Sequence, residues 1–132
     1  MTQLRRKKVF VVDDETTIHE LIRDALCEQG IDTECFESGA GLLEYLTEHP
    51  FDLGIIDLDL PGKHGPAIAE ELRQHGISIP LLAISAYVGA ELNARTWDHE
   101  TLLDCGFNDT LAKPFKVDDL FSKLTALLNR AS

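Results

Sequence analysis

Apolar residues in this chain come in short continuous runs and in helical stripes, and the two alternate. Val9-Phe10-Val11-Val12, Leu53-Gly54-Ile55-Ile56 and Leu81-Leu82-Ala83-Ile84 are runs of strand length. A strand that is apolar at every position is covered on both faces, as in a parallel sheet between layers of helices. Residues 31–36 and 110–112 are read as two further, shorter strands. Between the runs, Ile18, Leu21, Ile22, Ala25 and Leu26 recur at i, i+3, i+4, i+7, which predicts a first amphipathic helix stopped by Gly30. Ser38 is placed to cap a second helix carrying Leu42, Leu43, Tyr45 and Leu46, with Pro50 ending it. Pro66 suits the first turn of a third, which buries Ile68, Ala69 and Leu72 and closes at Gly76. A fourth helix is expected within the less regular stretch 86–106, and Val117, Leu120, Phe121, Leu124, Leu127 and Leu128 form the stripe of a fifth.

Five strands thus alternate with five helices, with no repeat and no linker. Alternation at this spacing predicts an α/β fold with a parallel sheet and right-handed crossovers. The expectation is one domain over residues 1–132, with a core over about 8–128 and no output domain in this chain.

The ends of the runs carry the chemistry. The first strand runs into Asp13-Asp14, the third into Asp57, the fourth into Ser85 and the fifth into Lys113-Pro114. In open α/β sheets ligands bind outside the carboxyl ends of the strands. One rim therefore gathers three carboxylates, a hydroxyl and an ammonium. Two like charges at 4 Å cost roughly 4 kcal/mol at an effective dielectric of 20. A divalent cation relieves that repulsion, and hard oxygen ligands beside a phosphate point to Mg²⁺ (or Mn²⁺). An aspartate can be the nucleophile that takes a phosphoryl group. Asp57 ends the central strand before a turn-rich loop and is the better acceptor, whereas Asp13 and Asp14 are placed as a metal-holding pair. The backbone carbonyl of Asp59 lies within reach of the same metal. Lys113 brings positive charge to the phosphoryl oxygens. Ser85 is expected to gain a hydrogen-bond partner only once a phosphoryl group is present, which would make the site a switch.

Composition changes this picture little. A net charge of −11, from 12 basic and 23 acidic residues, argues against direct nonspecific nucleic-acid binding. No apolar stretch approaches membrane-spanning length, and the basic start Arg5-Arg6-Lys7-Lys8 lacks the apolar segment of a signal peptide, so a cytoplasmic protein is expected. Cys27, Cys35 and Cys105 are odd in number and lack metal-type spacing, and read as reduced, mostly buried thiols. The five histidines are scattered without ligand spacing, and His64, nearest the site loop, reads as solvent-facing.

Taken together, Val12-Asp13-Asp14-Glu15, Ile56-Asp57-Leu58-Asp59-Leu60-Pro61-Gly62, Ile84-Ser85-Ala86 and Lys113-Pro114-Phe115 resemble the receiver domain of two-component response regulators, over about residues 8–128. The resemblance implies a flavodoxin-like sheet of strand order 2-1-3-4-5, an order for which a chemotaxis receiver is a standard example. It implies that Asp57 accepts a phosphoryl group from a phosphohistidine on a sensor histidine kinase or a histidine phosphotransfer protein. It further implies that Asp14 ligates Mg²⁺ directly with Asp13 assisting, that the Asp59 carbonyl is another ligand, and that Ser85 and Lys113 contact the phosphoryl group. The Lys113–Pro114 bond is expected to be cis. The implied output is a protein contact through the fourth helix, fifth strand and fifth helix, made by a monomer or weak dimer with a downstream protein target.

The chain departs from the family at two places. The family usually has an aromatic residue three positions before the lysine, as a rotamer switch coupled to the hydroxyl, and this chain has Thr110. Ser85 and Lys113 are 28 positions apart (113 − 85), several more than is usual, with the excess assigned to residues 89–100 around Trp97. Two other readings stay open. Ile55-Ile56-Asp57-Leu58-Asp59 also resembles the nucleophile strand of haloacid-dehalogenase-like phosphatases, although there that strand opens the domain. A pseudo-receiver would bind partners without phosphorylation. On the leading reading the protein is not an enzyme, beyond promoting its own phosphorylation and dephosphorylation.

Overall fold

The computed structural model describes residues 7–60, 64–85 and 99–131. Its elements are β1 (Lys8–Val12), α1 (Thr16–Cys27), β2 (Asp32–Phe36), α2 (Leu42–Glu48), β3 (Leu53–Asp57), α3 (Gly65–Gln74), β4 (Leu81–Ser85), α4 (His99–Cys105), β5 (Asp109–Ala112) and α5 (Val117–Ala131). The strands form one parallel sheet in the order β2-β1-β3-β4-β5, the flavodoxin-like order implied by the resemblance. The chain reverses direction across the sheet between β1 and β3, so the carboxyl ends of these two central strands open side by side into one crevice.

Alternate residues of the strands face opposite layers. Val9, Val11, Leu53, Ile55, Leu82, Ile84 and Leu111 pack with Ile22 and Leu26 of α1 and with Leu120, Leu124 and Leu127 of α5. Phe10, Val12, Ile56, Leu81 and Ala83 face the other way, against Leu42 and Leu46 of α2, Ile68 and Leu72 of α3 and Leu102 of α4. Two cores, one on each face, are why β1, β3 and β4 carry unbroken apolar runs between their polar ends. Gly54 sits where the Phe10 ring crosses β3, and a Cβ there would collide with that ring. Among the described residues no helix is long and apolar enough to cross a membrane.

Several local expectations fail for identifiable reasons. Leu21, assigned to the buried stripe of α1, is 40% exposed. The buried line of that helix is instead His19, Ile22, Ala25 and Leu26. Ser38 does not cap α2: its Oγ accepts from the Ala40 N–H at 3.2 Å, a turn of its own, and the cap position is Gly41 at φ 72°. The thiols are less buried than their composition class suggests. Cys27 is exposed at the last residue of α1, while Cys35 and Cys105 are partly buried. Residues 86–98, which hold most of the lengthened segment 89–100 and its Trp97, lie outside the described residues, as do 61–63 of the site loop.

Candidate functional site at the carboxyl rim

Asp57 and Ser85 end the buried strands β3 and β4, and Asp13 and Lys113 follow directly on β1 and β5, so the sheet itself aims them. Parallel pairing puts Val12 beside Ile56, Asp57 beside Ile84 and Ser85 beside Ala112. Asp13, Asp57, Ser85 and Lys113 therefore emerge at one level of one edge. Asp13, Ser85 and Asp57 are buried, at 0%, 0% and 3% exposure. Asp14 is exposed and Lys113 half-buried.

Asp13 is tied down on every side. Its N–H donates to the Phe36 carbonyl at 3.0 Å, which extends the β1–β2 pairing by one residue. Its Oδ1 accepts the Glu15 N–H at 2.9 Å and its Oδ2 accepts from Lys113 Nζ at 3.1 Å. Its carbonyl lies 2.6 Å from Nε2 of the buried His19. The Lys113 ammonium reaches Glu15 Oε1 at 3.0 Å and Asp57 Oδ2 at 3.5 Å. Burial pulls the Lys113 pKa down, but the hydrogen bonds it donates to Glu15 and Asp13 and the charges of Asp13 and Asp57 outweigh it and push the value up. Lys113 is thus a fixed positive charge.

Asp57 is in the opposite situation. Burial raises its pKa from 3.8 to about 6, against a lowering hydrogen bond from the Asp59 backbone, and the Asp13 charge adds to the rise. The Asp59 N–H donates to Asp57 Oδ1 at 3.1 Å. Lys113 and that N–H do not offset the loss of water and the neighbouring carboxylates. Among the described residues no group fully neutralises the negative charge of the site, which is the condition under which a cation binds. Carboxylate oxygens of Asp13, Asp14 and Asp57 all lie within 4.8 Å of one another. Mg²⁺ takes hard oxygen donors, so the all-oxygen set fits such an ion.

The structure corrects one role. Ser85 already has a partner: its Oγ donates to Asp59 Oδ2 at 2.6 Å. The hydroxyl is not waiting for a phosphoryl group. The side chain of Asp59 thus reaches Ser85 at the rim. Thr110 lies beside Ala83 on β5, one pleat repeat back from Ala112 and on the same face as Ser85. The Lys113–Pro114 peptide bond is cis. His64 is exposed at the N-cap of α3, as expected of a loop histidine.

Three supporting residues escaped the sequence reading. Glu15, a member of the first motif, is a direct partner of Lys113. His19 lies three residues before Ile22 on the buried stripe of α1, a spacing that marks it as inward-facing. Gly65 starts α3 directly against the acceptor: a Cβ there would lie 2.6 Å from the Asp57 carbonyl oxygen and 2.8 Å from Leu58 Cα.

Comparison with known proteins agrees with this geometry. Residues 9–125 match the family model described as the response regulator receiver domain. The two-component response regulator PhoP of Pseudomonas aeruginosa is 34% identical over 125 residues, covering 95% of this chain and 53% of that protein. The transcriptional regulatory protein DltR of Streptococcus agalactiae is 28% identical over the same length and coverage. The chain thus spans about half the length of the curated relatives it matches. Among solved structures, the receiver domain of the Francisella response regulator 1452 superposes with a TM-score of 0.82 at 29% identity, covering 96% of this chain and 100% of that one. The receiver domain of the sensor histidine kinase PA1611 from Pseudomonas aeruginosa PAO1, which carries a magnesium ion in its active-site cleft, gives 0.79 at 26% identity, with 95% and 99% covered. With its parallel sheet in the order 2-1-3-4-5 and its acidic rim, the chain belongs to the response regulator receiver domain family.

Proposed function

We propose that Asp57 is the phosphoacceptor of a two-component phosphorelay and that the other rim residues serve that transfer. The observation that carries this reading is the buried Asp57 carboxylate, 3.5 Å from the Lys113 ammonium and grouped with Asp13 and Asp14. At neutral pH most of Asp57 is ionised, since its pKa is about 6, yet it is poorly solvated and so a better nucleophile than a surface carboxylate. An Asp57 oxygen attacks the phosphorus of a phosphohistidine. A P–O bond forms, the P–N bond breaks, and the leaving imidazole takes a proton from solvent. Lys113, fixed by Asp13 and Glu15, faces the charge that develops on the phosphoryl oxygens. Asp14, Asp13 and Asp57, with the Asp59 carbonyl, are the groups that would hold Mg²⁺ or Mn²⁺, whose charge would neutralise the transferred group. The donor is a sensor histidine kinase or a histidine phosphotransfer protein, the downstream target is a protein, and the setting is cytoplasmic. Return to the unmodified state is attack by water on phosphorus, giving inorganic phosphate and the Asp57 carboxylate.

Intact-mass measurement after incubation with Mg²⁺ and acetyl phosphate tests the reading. The expected result is the gain of one phosphoryl group, lost in Asp57→Asn and on chelation of the metal. No gain with acetyl phosphate or with a phosphohistidine donor would sink it and favour a pseudo-receiver.

A further inference from the structure

The histidine on the buried stripe of α1 has no part in the chemistry described above, yet it touches the turn that carries the acidic pair. His19 is 7% exposed and shares its face of α1 with Ile22, Ala25 and Leu26. Its Nε2 lies 2.6 Å from the backbone carbonyl oxygen of Asp13. A carbonyl only accepts, so Nε2 carries the proton and donates it. That carbonyl belongs to the peptide that joins Asp13 to Asp14. A peptide unit is planar, so holding its oxygen also sets where the Asp14 N–H and Cα lie. Asp13 has other anchors: its N–H donates to the Phe36 carbonyl, and its carboxylate accepts from the Glu15 N–H and from Lys113. Asp14 is exposed, so packing does not aim its carboxylate and the backbone has to.

We infer that His19 is a positioning residue for the cation: by one hydrogen bond to the Asp13 carbonyl it fixes the Asp13–Asp14 peptide and so holds the Asp14 carboxylate beside those of Asp13 and Asp57. The three carboxylates lie within 4.8 Å of one another in the absence of any ion. Without the bond, the peptide would turn more freely and Asp14 would spend more time away from its neighbours. A cation would then have to order Asp14 as it binds, at a cost in affinity. A leucine in place of His19 would continue the apolar stripe but leave the carbonyl without its donor. The imidazole therefore does something at this position that packing alone does not ask for. The inference rests on the reading of the acidic rim as a Mg²⁺ site.

Calorimetric titration of unphosphorylated protein with Mg²⁺, at one fixed pH, tests this, with urea unfolding in metal-free buffer measured beside it. His19→Leu keeps the apolar face and removes the donor, and its Mg²⁺ affinity should fall about tenfold, the scale on which groups that orient metal ligands act. His19→Phe makes the same test should leucine fail to fold, and the same loss is expected. His19→Gln, whose amide N–H reaches about as far as Nε2, should recover most of the affinity. Ile22→Val loosens the same face of α1 without touching the carbonyl, so it should lower stability and leave Mg²⁺ affinity unchanged. In an Asp14→Ala background the His19→Leu loss should vanish, since the bond acts through Asp14. Wild-type affinity in His19→Leu and His19→Phe overturns the inference. So does a loss in Ile22→Val equal to that in His19→Leu, which reduces His19 to packing, or a loss in His19→Gln as large as in His19→Leu. An undiminished loss without Asp14 overturns it as well. Wild-type protein that binds no Mg²⁺ is a different result, which overturns the cation site and the role of His19 with it.

Discussion

The two ends of the sheet each hold a half-buried cation, and they treat it in opposite ways. At the amino end of β4 and β5, Arg73 from α3 uses all five of its N–H donors on neutral acceptors. Nε and Nη2 donate to the Gly106 carbonyl at 3.0 and 2.6 Å, Nη1 donates to the carbonyls of Ile77 and Ile79 at 2.9 and 2.7 Å, and Nη2 donates to Asn108 Oδ1 at 2.9 Å. Asn108 passes the link on, accepting the Leu81 N–H at 2.8 Å. At the carboxyl end, Lys113 meets three carboxylates. Burial alone lowers the Arg73 pKa, whereas its carboxylate partners raise that of Lys113. A guanidinium among dipoles makes a joint whose hydrogen bonds are satisfied. An ammonium among more carboxylates than it can neutralise makes a site that is short of positive charge. The first holds loops, and the second is built to receive something.

The largest expected effect breaks the joint. Arg73→Ala leaves three backbone carbonyls and the Asn108 amide short of donors, and at about 1 kcal/mol for each, unfolding in urea should show a loss of about 3–4 kcal/mol. Phosphorylation of the surviving folded protein should continue. Asp57→Asn should do the reverse. A carboxyl whose pKa is raised on folding contributes stability that is fully present below its unfolded value and is lost as pH rises through the folded one. The rise from 3.8 to about 6 corresponds to about 3 kcal/mol at most. Wild-type protein should therefore lose up to that much stability, relative to Asp57→Asn, between pH 4 and pH 7.5 in metal-free buffer. A pH-independent difference in urea midpoints would show that the carboxyl is not strained. Adding Mg²⁺ should stabilise the wild type more than the variant.

The same contrast explains what the sequence disclosed. The carboxyl rim was legible because each of its groups follows a run of apolar residues, so Asp13, Asp57, Ser85 and Lys113 could be placed from strand ends alone. Strand order came from the resemblance, since alternation predicts a parallel sheet without ordering its strands. The amino-end joint was not legible. Arg73 looks like any polar residue near the end of a helix, and its partners are main-chain carbonyls, which carry no sequence signal. Asp59 was half-read for a related reason: its place beside Asp57 suggested a carbonyl ligand, but only the fold brings its carboxylate to Ser85, 26 residues away. Ser38 misled because a hydroxyl before an apolar stripe serves a turn as readily as a helix cap.

Glycines at the two ends sharpen the comparison at smaller scale. Gly106, at φ 114°, would place a Cβ 2.7 Å from Arg73 Cγ, so Gly106→Ala combines backbone strain with displacement of the joint. A destabilisation of about 2 kcal/mol is expected in urea, without loss of phosphoryl uptake. Gly65→Ala should cost a similar amount, because its Cβ presses on main-chain atoms of Asp57 and Leu58. It differs in moving the acceptor, so its phosphorylation rate should fall together with its stability. Equal rates in the two variants would mean that the Asp57 backbone tolerates the intrusion.

The smallest effect on folding should accompany one of the largest on binding. Asp14 is exposed, so Asp14→Ala removes no buried contact, and unfolding in metal-free buffer should change by no more than about 0.5 kcal/mol. If Asp14 is the group that meets the cation, calorimetric titration with Mg²⁺ should weaken by about tenfold or more. Asp13 gives the opposing case. Its two oxygens already hold the Glu15 N–H and Lys113, and Asp13→Ala strips a half-buried ammonium of a partner, so it should lower both stability and metal affinity. The two adjacent aspartates would then separate cleanly: one belongs to the fold and the site together, the other to the site alone. Equal losses of stability in both variants would remove that distinction and place Asp14 in the scaffold.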